Sequence, residues 1–205
     1  MGSNPTPGTI LDMKIAFTNA QSSLDELISQ KPWKNLQMVE LEQVHGSSVA
    51  VITDLGQIPS QKIPQVDGVL SNQPGVGLLI RTADCLPILL HHESGLIGAI
   101  HAGRKGTKKR VFYKALRLVR EKFAVRSGLK VWFGPAICKS CYQIDRQTDL
   151  HYDMIQENLQ QLAKVFPSES VSLKIEEICT LEHPDYYSYR QTGPGVKLNY
   201  FAIAQ

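Results

Sequence analysis

The chain has 205 residues, of which 42% are hydrophobic and 20% are charged, the length and composition of one folded domain. Its formal net charge of +3 is small and both signs are spread along the chain, so we expect no nucleic-acid partner. No apolar run is long enough to span a bilayer, and the first residues lack the pattern of a secretory signal. We therefore expect no membrane contact and a cytoplasmic location.

Up to residue 100, short apolar runs are separated by turn residues, a pattern that predicts strands. Segment 22–29 instead has leucine and isoleucine at helical spacing and predicts a short helix. Segment 54–65 contains a glycine and two prolines, which is typical of an exposed loop. The expected strands cover residues 13–18, 36–44, 49–53, 67–71, 76–80, 86–90 and 96–100.

The rest of the chain contains both helices and strands. Apolar residues recur on one face over 106–123 and 149–165, which predicts two amphipathic helices. Further strands are expected over 129–133, 171–175 and 196–204. Because the strands come in runs rather than alternating with helices, the sequence predicts one α+β domain over residues 1–205, with mixed or antiparallel sheets and a flexible start over 1–13.

Two of the expected strands, 86–90 and 96–100, flank a Glu-Ser-Gly turn and predict a buried hairpin. Cys85 directly precedes the first strand and His101 directly follows the second, so the hairpin should bring a thiol and an imidazole side by side. Such a pair is half of a metal site, a Cys/His nucleophile pair, or a plain buried thiol beside a core histidine. The hairpin alone leaves these three interpretations open.

A second pair of cysteines, Cys138 and Cys141, has Cys-x-x-Cys spacing. No further Cys-x-x-Cys follows it, so we expect no structural zinc knuckle here. The chain has four cysteines, and in a reducing compartment thiols, metal ligands or nucleophiles are favoured over a disulfide framework.

Several short motifs over residues 36–204 occur together and in order. They are Gln43-Val44-His45-Gly46, Asp67-Gly68, Ala83-Asp84-Cys85-Leu86-Pro87, His101-Ala102-Gly103, Gly106-Thr107, Gly134-Pro135-Ala136-Ile137, Cys141-Tyr142, Cys179-Thr180 and Tyr187-Ser188-Tyr189-Arg190. The set resembles the YfiH-like family, also known as the multicopper polyphenol oxidase or laccase-domain family and as purine nucleoside phosphorylases with a zinc-binding Cys/His site. The resemblance implies a sandwich of mixed β-sheets flanked by helices, a fold likened to cytotoxic necrotizing factor.

The resemblance also implies that His45, Cys85 and His101 are metal ligands and take part in catalysis. One thiolate and two imidazoles leave a fourth tetrahedral position free for water or substrate, which is the pattern of catalytic zinc. Zinc is the expected cofactor; copper is less expected, because three such ligands are too few for a multicopper cluster. Asp84, adjacent to Cys85, is expected to orient a histidine or to act as an acid or base.

Four more side chains are expected to contact the substrate. Arg190 and Lys105, together with Arg104, are candidates to bind an anion such as phosphate. Cys141 is expected to line the same pocket. The family has Trp-Arg where this chain has Arg104-Lys105, so an aromatic side chain is replaced by a positively charged one.

The function implied by the resemblance is a zinc-dependent purine nucleoside phosphorylase acting on adenosine, inosine or guanosine with phosphate, with adenosine deamination as a parallel activity. Three alternatives stay open: a Cys/His hydrolase of the peptidoglycan-precursor editing type, a copper polyphenol oxidase, and a member that binds metal and nucleoside without turnover. The last is motivated by Gln191 and Val196, which stand where the family has arginines. A monomer or a small homo-oligomer is expected.

Overall fold

A computed structural model describes residues 8–10, 13–54, 56 and 62–205 of the chain. Across these ranges, no helix combines the length and the apolar character needed to cross a bilayer. The strands are β1 (Gly8–Ile10), β2 (Met13–Phe17), β3 (Gln37–Glu40), β4 (Val49–Ile52), β5 (Gly68–Ser71), β6 (Val76–Thr82), β7 (Leu86–His91), β8 (Ile97–Ala102), β9 (Leu129–Phe133), β10 (Gln143–Asp145), β11 (Leu150–His151), β12 (Val171–Ile175) and β13 (Asn199–Ala204). The helices are α1 (Leu24–Ser29), α2 (Arg104–Lys108), α3 (Val111–Lys122), α4 (Met154–Ala163) and α5 (Tyr189–Thr192).

Two mixed sheets form the framework. One has six strands in the order β12-β9-β7-β8-β5-β4, and the other has five in the order β1-β2-β13-β6-β3. Each sheet contains parallel pairs, β12 with β9 and β4 with β5 in the first and β3 with β6 in the second, while the other pairs are antiparallel. A small hairpin of β10 and β11 lies apart from both sheets.

The side chains of the six-stranded sheet alternate between two apolar layers, as the period of a strand requires. Leu89 and Trp132 face the five-stranded sheet and pack in one cluster with Phe201. Ile88 and Leu90, on the opposite face, pack in a second cluster with residues of α3 and α4. The outer face of the five-stranded sheet is covered by a third cluster, which includes α1. The predicted α+β domain with mixed sheets flanked by helices is confirmed.

The two long helices differ from the sequence prediction at their ends. The predicted helix over 106–123 is in fact α2 and α3, because Arg110 has a left-handed backbone (φ 63°) that interrupts the helical path. The predicted helix over 149–165 begins only at Met154, after Asp153 caps it by accepting the backbone N–H of Gln156 (2.9 Å). Leu150–His151 instead forms β11, because it pairs with β10.

Two predictions fall partly outside the described residues. Within the predicted flexible start, Gly8–Ile10 pairs with β2 as an antiparallel strand, and the remainder up to residue 12 is not described. Within the predicted loop 54–65, Ile63 forms a bridge with Leu41, and residues 55 and 57–61 are not described.

One edge of the six-stranded sheet collects the residues that bear chemistry. β7 and β8 are antiparallel with Leu86 opposite Ala102, so β7 begins where β8 ends. β5 is antiparallel to β8 and parallel to β4, and Gly68 pairs with both Ile100 and Val49. The residues that precede β4, β5 and β7 therefore meet the end of β8 at this edge.

Candidate active site

His45, Cys85 and His101 come together at that edge of the sheet. Their potential ligand atoms all lie within 4.8 Å of one another, and the two imidazole rings meet edge to face with centroids 4.8 Å apart. His101 is the penultimate residue of β8, opposite Pro87, whereas His45 lies in the bend before β4 with a left-handed backbone (φ 57°). Cys85 and His101, which the hairpin predicts to be neighbours, are neighbours. His45, which the family resemblance adds to them, lies beside both.

A buried carboxylate, Asp67, holds two of these residues in place. Its Oδ1 lies 2.8 Å from Nδ1 of His101, which leaves Nε2 of that ring to face the cluster. The same carboxylate accepts the backbone N–H groups of His45 (2.9 Å) and Gly46 (2.6 Å). A carboxylate behind a histidine is the usual outer partner of a metal-ligating imidazole.

Sequence reasoning assigns no role to Asp67, although an Asp-Gly pair directly before a buried strand is visible in the sequence. Asp67 directly precedes β5, and this position brings it behind His101 because Gly68 pairs with Ile100, 32 residues further along the chain. The role proposed for Asp84, orientation of a histidine, belongs to Asp67 instead.

The electrostatics of the cluster are coupled. Burial opposes ionisation of Cys85, but the neighbouring imidazoles of His101 and His45 outweigh it and lower the pKa of the thiol to about 6. Burial would likewise lower the pKa of His101, whereas Cys85 and Asp67 raise it to about 9. Burial opposes ionisation of Asp67 too, yet its hydrogen bonds hold the pKa of that carboxyl below its ordinary value. A thiolate facing an imidazolium is therefore favoured near neutral pH when no metal is bound.

Glycines make room for this close approach. A Cβ at Gly103 would lie 2.6 Å from Sγ of Cys85 and 3.2 Å from Cδ2 of His45, so a larger residue there would displace the cluster. Gly106 is equally constrained, since a Cβ there would lie 2.8 Å from the carbonyl oxygen of Gly46. The glycines of the sequence motifs His101-Ala102-Gly103 and Gly106-Thr107 are thus required by packing.

The donor set fits a metal ion on chemical grounds. One thiolate and two imidazoles are the ligand types that zinc binds, and copper shares the preference for imidazole and thiolate. The outer carboxylate of Asp67 fixes the ring of His101 in the orientation that a ligand needs. The group can therefore hold one metal ion with a coordination position left over.

The cluster opens into a cleft of about 870 Å³. Three of the predicted anion-binding residues line it: Arg190 from α5, and Arg104 and Lys105 from α2. Arg81 and Arg146, for which the sequence predicts no role, line it as well. Five cationic side chains therefore line the cleft, and among the described residues Asp84 is the one carboxylate that lines it. This excess of positive charge favours an anionic ligand.

Asp84 positions one wall of the cleft. Its backbone is left-handed (φ 85°) and its carboxylate is buried, accepting the hydroxyl of Thr180 (2.7 Å) and the backbone N–H of Arg190 (2.7 Å). The guanidinium of Arg190 donates to the carbonyl of Gln143 (2.9 Å) and lies 5.5 Å from the ring centroid of Tyr142. Asp84 directly precedes Cys85 in the sequence. Its hydrogen bond to the backbone of Arg190 therefore fixes the segment that carries Arg190 beside Cys85.

Cys141 does not line the cleft, contrary to the sequence prediction. Its thiol donates to the carboxylate of Glu182 (3.3 Å), in a separate group with two other cysteines. The residue that turns toward the cleft is its neighbour, Tyr142. The cleft wall in this part of the chain begins at Tyr142 and continues through Gln143 and Ile144.

The comparisons with known proteins agree with this geometry. A family model described as multi-copper polyphenol oxidoreductase laccase matches residues 18–200. The chain belongs to this laccase family. This membership confirms the resemblance found in the motifs. The matched residues include the whole six-stranded sheet and every residue that lines the cleft, whereas β1, β2 and the end of β13 lie outside the match.

The relatives of this chain include two proteins named purine nucleoside phosphorylase. One, from Campylobacter jejuni, is 25% identical over 181 residues, which is 82% of this chain and 77% of the relative. The other, from Streptomyces coelicolor, is 31% identical over 172 residues, 76% of this chain and 70% of the relative.

Solved structures share the fold. YlmD from Geobacillus stearothermophilus superposes with a TM-score of 0.82 at 21% identity, covering 94% of this chain and 91% of that one. The hypothetical protein YfiH from Bacillus licheniformis superposes with a TM-score of 0.77 at 17% identity, covering 95% and 94%.

Proposed function

We propose that this chain is a zinc-dependent purine nucleoside phosphorylase acting on adenosine, inosine or guanosine. The observation that carries the proposal is a His-His-Cys ligand group, His45, Cys85 and His101, opening into a cleft lined by cations. The relatives named purine nucleoside phosphorylase support the same activity.

Zinc is the metal we propose for the ligand group. A set of one thiolate and two imidazoles with one position free is typical of catalytic zinc. When bound, zinc supplies a Lewis acid and lowers the pKa of a bound water to about 7. A multicopper centre needs more histidines, and among the described residues the other group of metal-binding type contains three cysteines and a glutamate.

The cations of the cleft suit the phosphate. In phosphorolysis a phosphate oxygen bonds to C1′ of the ribose, the glycosidic C–N bond breaks, and the purine leaves with the electron pair and takes up a proton. Arg190, Arg104 and Lys105 line the cleft wall, with Arg190 held by Tyr142 and Gln143, and we assign the binding of the phosphate dianion to them. Bidentate contact with a guanidinium would fix the phosphate and screen its charge from the leaving purine.

The purine would lie against the aromatic and apolar part of the wall. Tyr142 and Tyr189 line the cleft together with Ile144, Val196 and Leu198. Flat aromatic faces stack on purines, and the aliphatic side chains exclude water from the glycosidic bond. These tyrosines offer the aromatic surface that the family places at the position of Arg104.

A second candidate is a hydrolase in which Cys85 is the nucleophile and His101 the base. The observation that favours it is the lowered pKa of Cys85, about 6, beside the raised pKa of His101, about 9. In that mechanism His45 has no required part, whereas in the zinc-dependent one it is a ligand. We favour zinc because His45 joins the other two residues, with the potential ligand atoms of all three within 4.8 Å of one another.

The test is a nucleoside panel with purified, zinc-loaded protein. We expect adenosine, inosine and guanosine to yield the free base and ribose 1-phosphate only when phosphate is present. Base and free ribose without phosphate would indicate a hydrolase, and inosine from adenosine would reveal deamination as a parallel activity. Nucleosides that bind in calorimetry but stay intact at high protein concentration would overturn the phosphorylase in favour of a binding protein.

A further inference from the structure

A second group of potential ligands lies outside the cleft. It consists of Cys138, Cys141, Cys179 and Glu182, whose sulfur and oxygen atoms all lie within 4.8 Å of one another. Three of these side chains are half-buried, and the glutamate is exposed. None of the four lines the cleft, so the group is separate from the site formed by His45, Cys85 and His101.

Two short turns of equal spacing present these ligands. In the first, the backbone N–H of Tyr142 donates to the carbonyl of Cys138 (3.0 Å), which closes the Cys-x-x-Cys turn. In the second, the N–H of His183 donates to the carbonyl of Cys179 (2.9 Å), which closes a Cys-x-x-Glu turn of the same length. A parallel bridge between Ala136 and Cys179 joins the two turns at their starts.

The contacts inside the group are those that a bound cation would exploit. Sγ of Cys141 lies 3.3 Å from a carboxylate oxygen of Glu182, and the backbone N–H of Cys138 donates to Sγ of Cys179 (3.3 Å). Around tetrahedral zinc, with Zn–S of about 2.3 Å and Zn–O of about 2.1 Å, ligand atoms lie roughly 3.5–3.8 Å apart. Side-chain rotations that move the ligand atoms by about 1 Å would therefore bring all four into contact with one zinc ion.

We propose that Cys138, Cys141, Cys179 and Glu182 bind a second zinc ion as a structural site. Three thiolates and one carboxylate complete a tetrahedral shell without water, which is the closed arrangement of structural zinc. Soft thiolate ligands also select zinc over magnesium or calcium. The missing second Cys-x-x-Cys, which argues against a zinc knuckle in the sequence, is replaced in space by Cys179 and Glu182.

The site would brace the cleft from behind, and it would do so whatever reaction the cleft performs. Thr180, next to Cys179, donates to the carboxylate of Asp84, which in turn holds the backbone of Arg190. Tyr142, next to Cys141, lines the cleft. An ion joining the two turns would fix both neighbours at once.

The first test counts metal in the full chain. Protein purified under reducing conditions with zinc and then dialysed should contain two zinc ions per chain, and the Cys85→Ser and Cys138→Ser/Cys179→Ser variants should each contain one. Cobalt(II) loaded into Cys85→Ser should still show thiolate-to-metal absorption, because that variant has lost the thiolate of the cleft. One zinc in the wild type with none in Cys85→Ser would overturn the proposal.

A second measurement needs no variant that must fold. Alkylation of wild-type protein with iodoacetamide, followed by peptide mass spectrometry, should leave Cys138, Cys141 and Cys179 unmodified with zinc and modify all three after chelation. Equal modification with and without chelator would refute the site. A disulfide between any two of these cysteines in reduced, zinc-loaded protein would also refute it, since the same sulfur atoms cannot serve both purposes.

Discussion

The two groups of potential metal ligands in this chain contain similar atoms in different surroundings. His45, Cys85 and His101 open into a cleft and have the buried carboxylate of Asp67 behind them. The group formed by Cys138, Cys141, Cys179 and Glu182 has four ligands, faces no part of the cleft, and includes an exposed carboxylate. A metal with an open coordination position can act on a substrate only where the substrate reaches it, which suits the group in the cleft. A metal with four protein ligands has a structural role, which suits the group outside the cleft.

The difference also follows from how each group is held. The first is anchored by strand pairing at the edge of the six-stranded sheet, where Leu86 lies opposite Ala102 and Gly68 opposite Ile100. The second is held by two turns and a single bridge between Ala136 and Cys179. A rigid sheet can keep a ligand position vacant for substrate, whereas turns gain their rigidity from a ligand shared between them.

The largest expected effect separates the two groups by the same chemical change. Cys85→Ser removes the thiolate of the cleft, so we expect loss of phosphorolysis beyond the roughly 100-fold expected from an outer-shell substitution. Cys138→Ser, its matched control, should lower the free energy of unfolding more than the rate. Activity assays and urea unfolding on both variants test this, and comparable rates for the two would contradict the division.

Asp67→Asn should have the next largest effect. The amide keeps the size of the carboxylate but loses the charge that raises the pKa of His101, so zinc affinity or kcat/KM should fall by roughly 10- to 100-fold. Competition with a chelator measures the affinity. Asp54→Asn, at an exposed aspartate that is not a member of the cluster, serves as control. Unchanged zinc affinity and unchanged kcat/KM in Asp67→Asn would show that the carboxylate does not support the ligand group.

Arg190→Gln should act on phosphate rather than on metal. A hydrogen bond to a charged group contributes about 1.5–3 kcal/mol, so we expect KM for phosphate to rise by roughly 10- to 150-fold while zinc content stays the same. Arg117→Gln, on the exposed face of α3 and paired with Glu121, is the control that should leave KM unchanged. A rise in the nucleoside KM alone would reassign Arg190 to the nucleoside.

The smallest effect should come from the link between the two groups. Thr180→Val keeps the shape of the side chain but deletes its hydrogen bond to Asp84, leaving a buried carboxylate with one partner fewer. We expect the free energy of unfolding to fall by about 1–3 kcal/mol and the rate to change only a few-fold. Urea unfolding measures this, with Thr53→Val at an exposed position as the control. Equal free energies of unfolding for the two variants would show that the hydrogen bond between Thr180 and Asp84 does not contribute to stability.

Local patterns in the sequence predict much of this molecule. The apolar runs predict β7 and β8, and their ends place Cys85 beside His101, because both facts depend on residues close along the chain. The third ligand, His45, needed a resemblance, since its position depends on the pairing of β4 with β5. The break between α2 and α3 was missed because helical periodicity does not report a left-handed residue such as Arg110.

The partners that sequence reasoning missed depend on long-range contacts. Asp67 lies 34 residues from His101, and Cys179 lies 41 residues from Cys138. No local period connects such positions; only the topology of the six-stranded sheet and the bridge at Ala136 does. The sequence does not show which way the side chain of Cys141 points, because a loop lacks the regular periodicity that separates the two faces of a helix or strand.

The most direct test of the cleft site is His45→Ala, with zinc content and phosphorolysis measured on the same sample. If the three residues bind a catalytic metal, the variant should lose one zinc ion per chain relative to the wild type and lose its activity with it. A variant that lacks that zinc but keeps much of its rate would contradict a catalytic role for the metal and favour a nucleophile pair of Cys85 and His101.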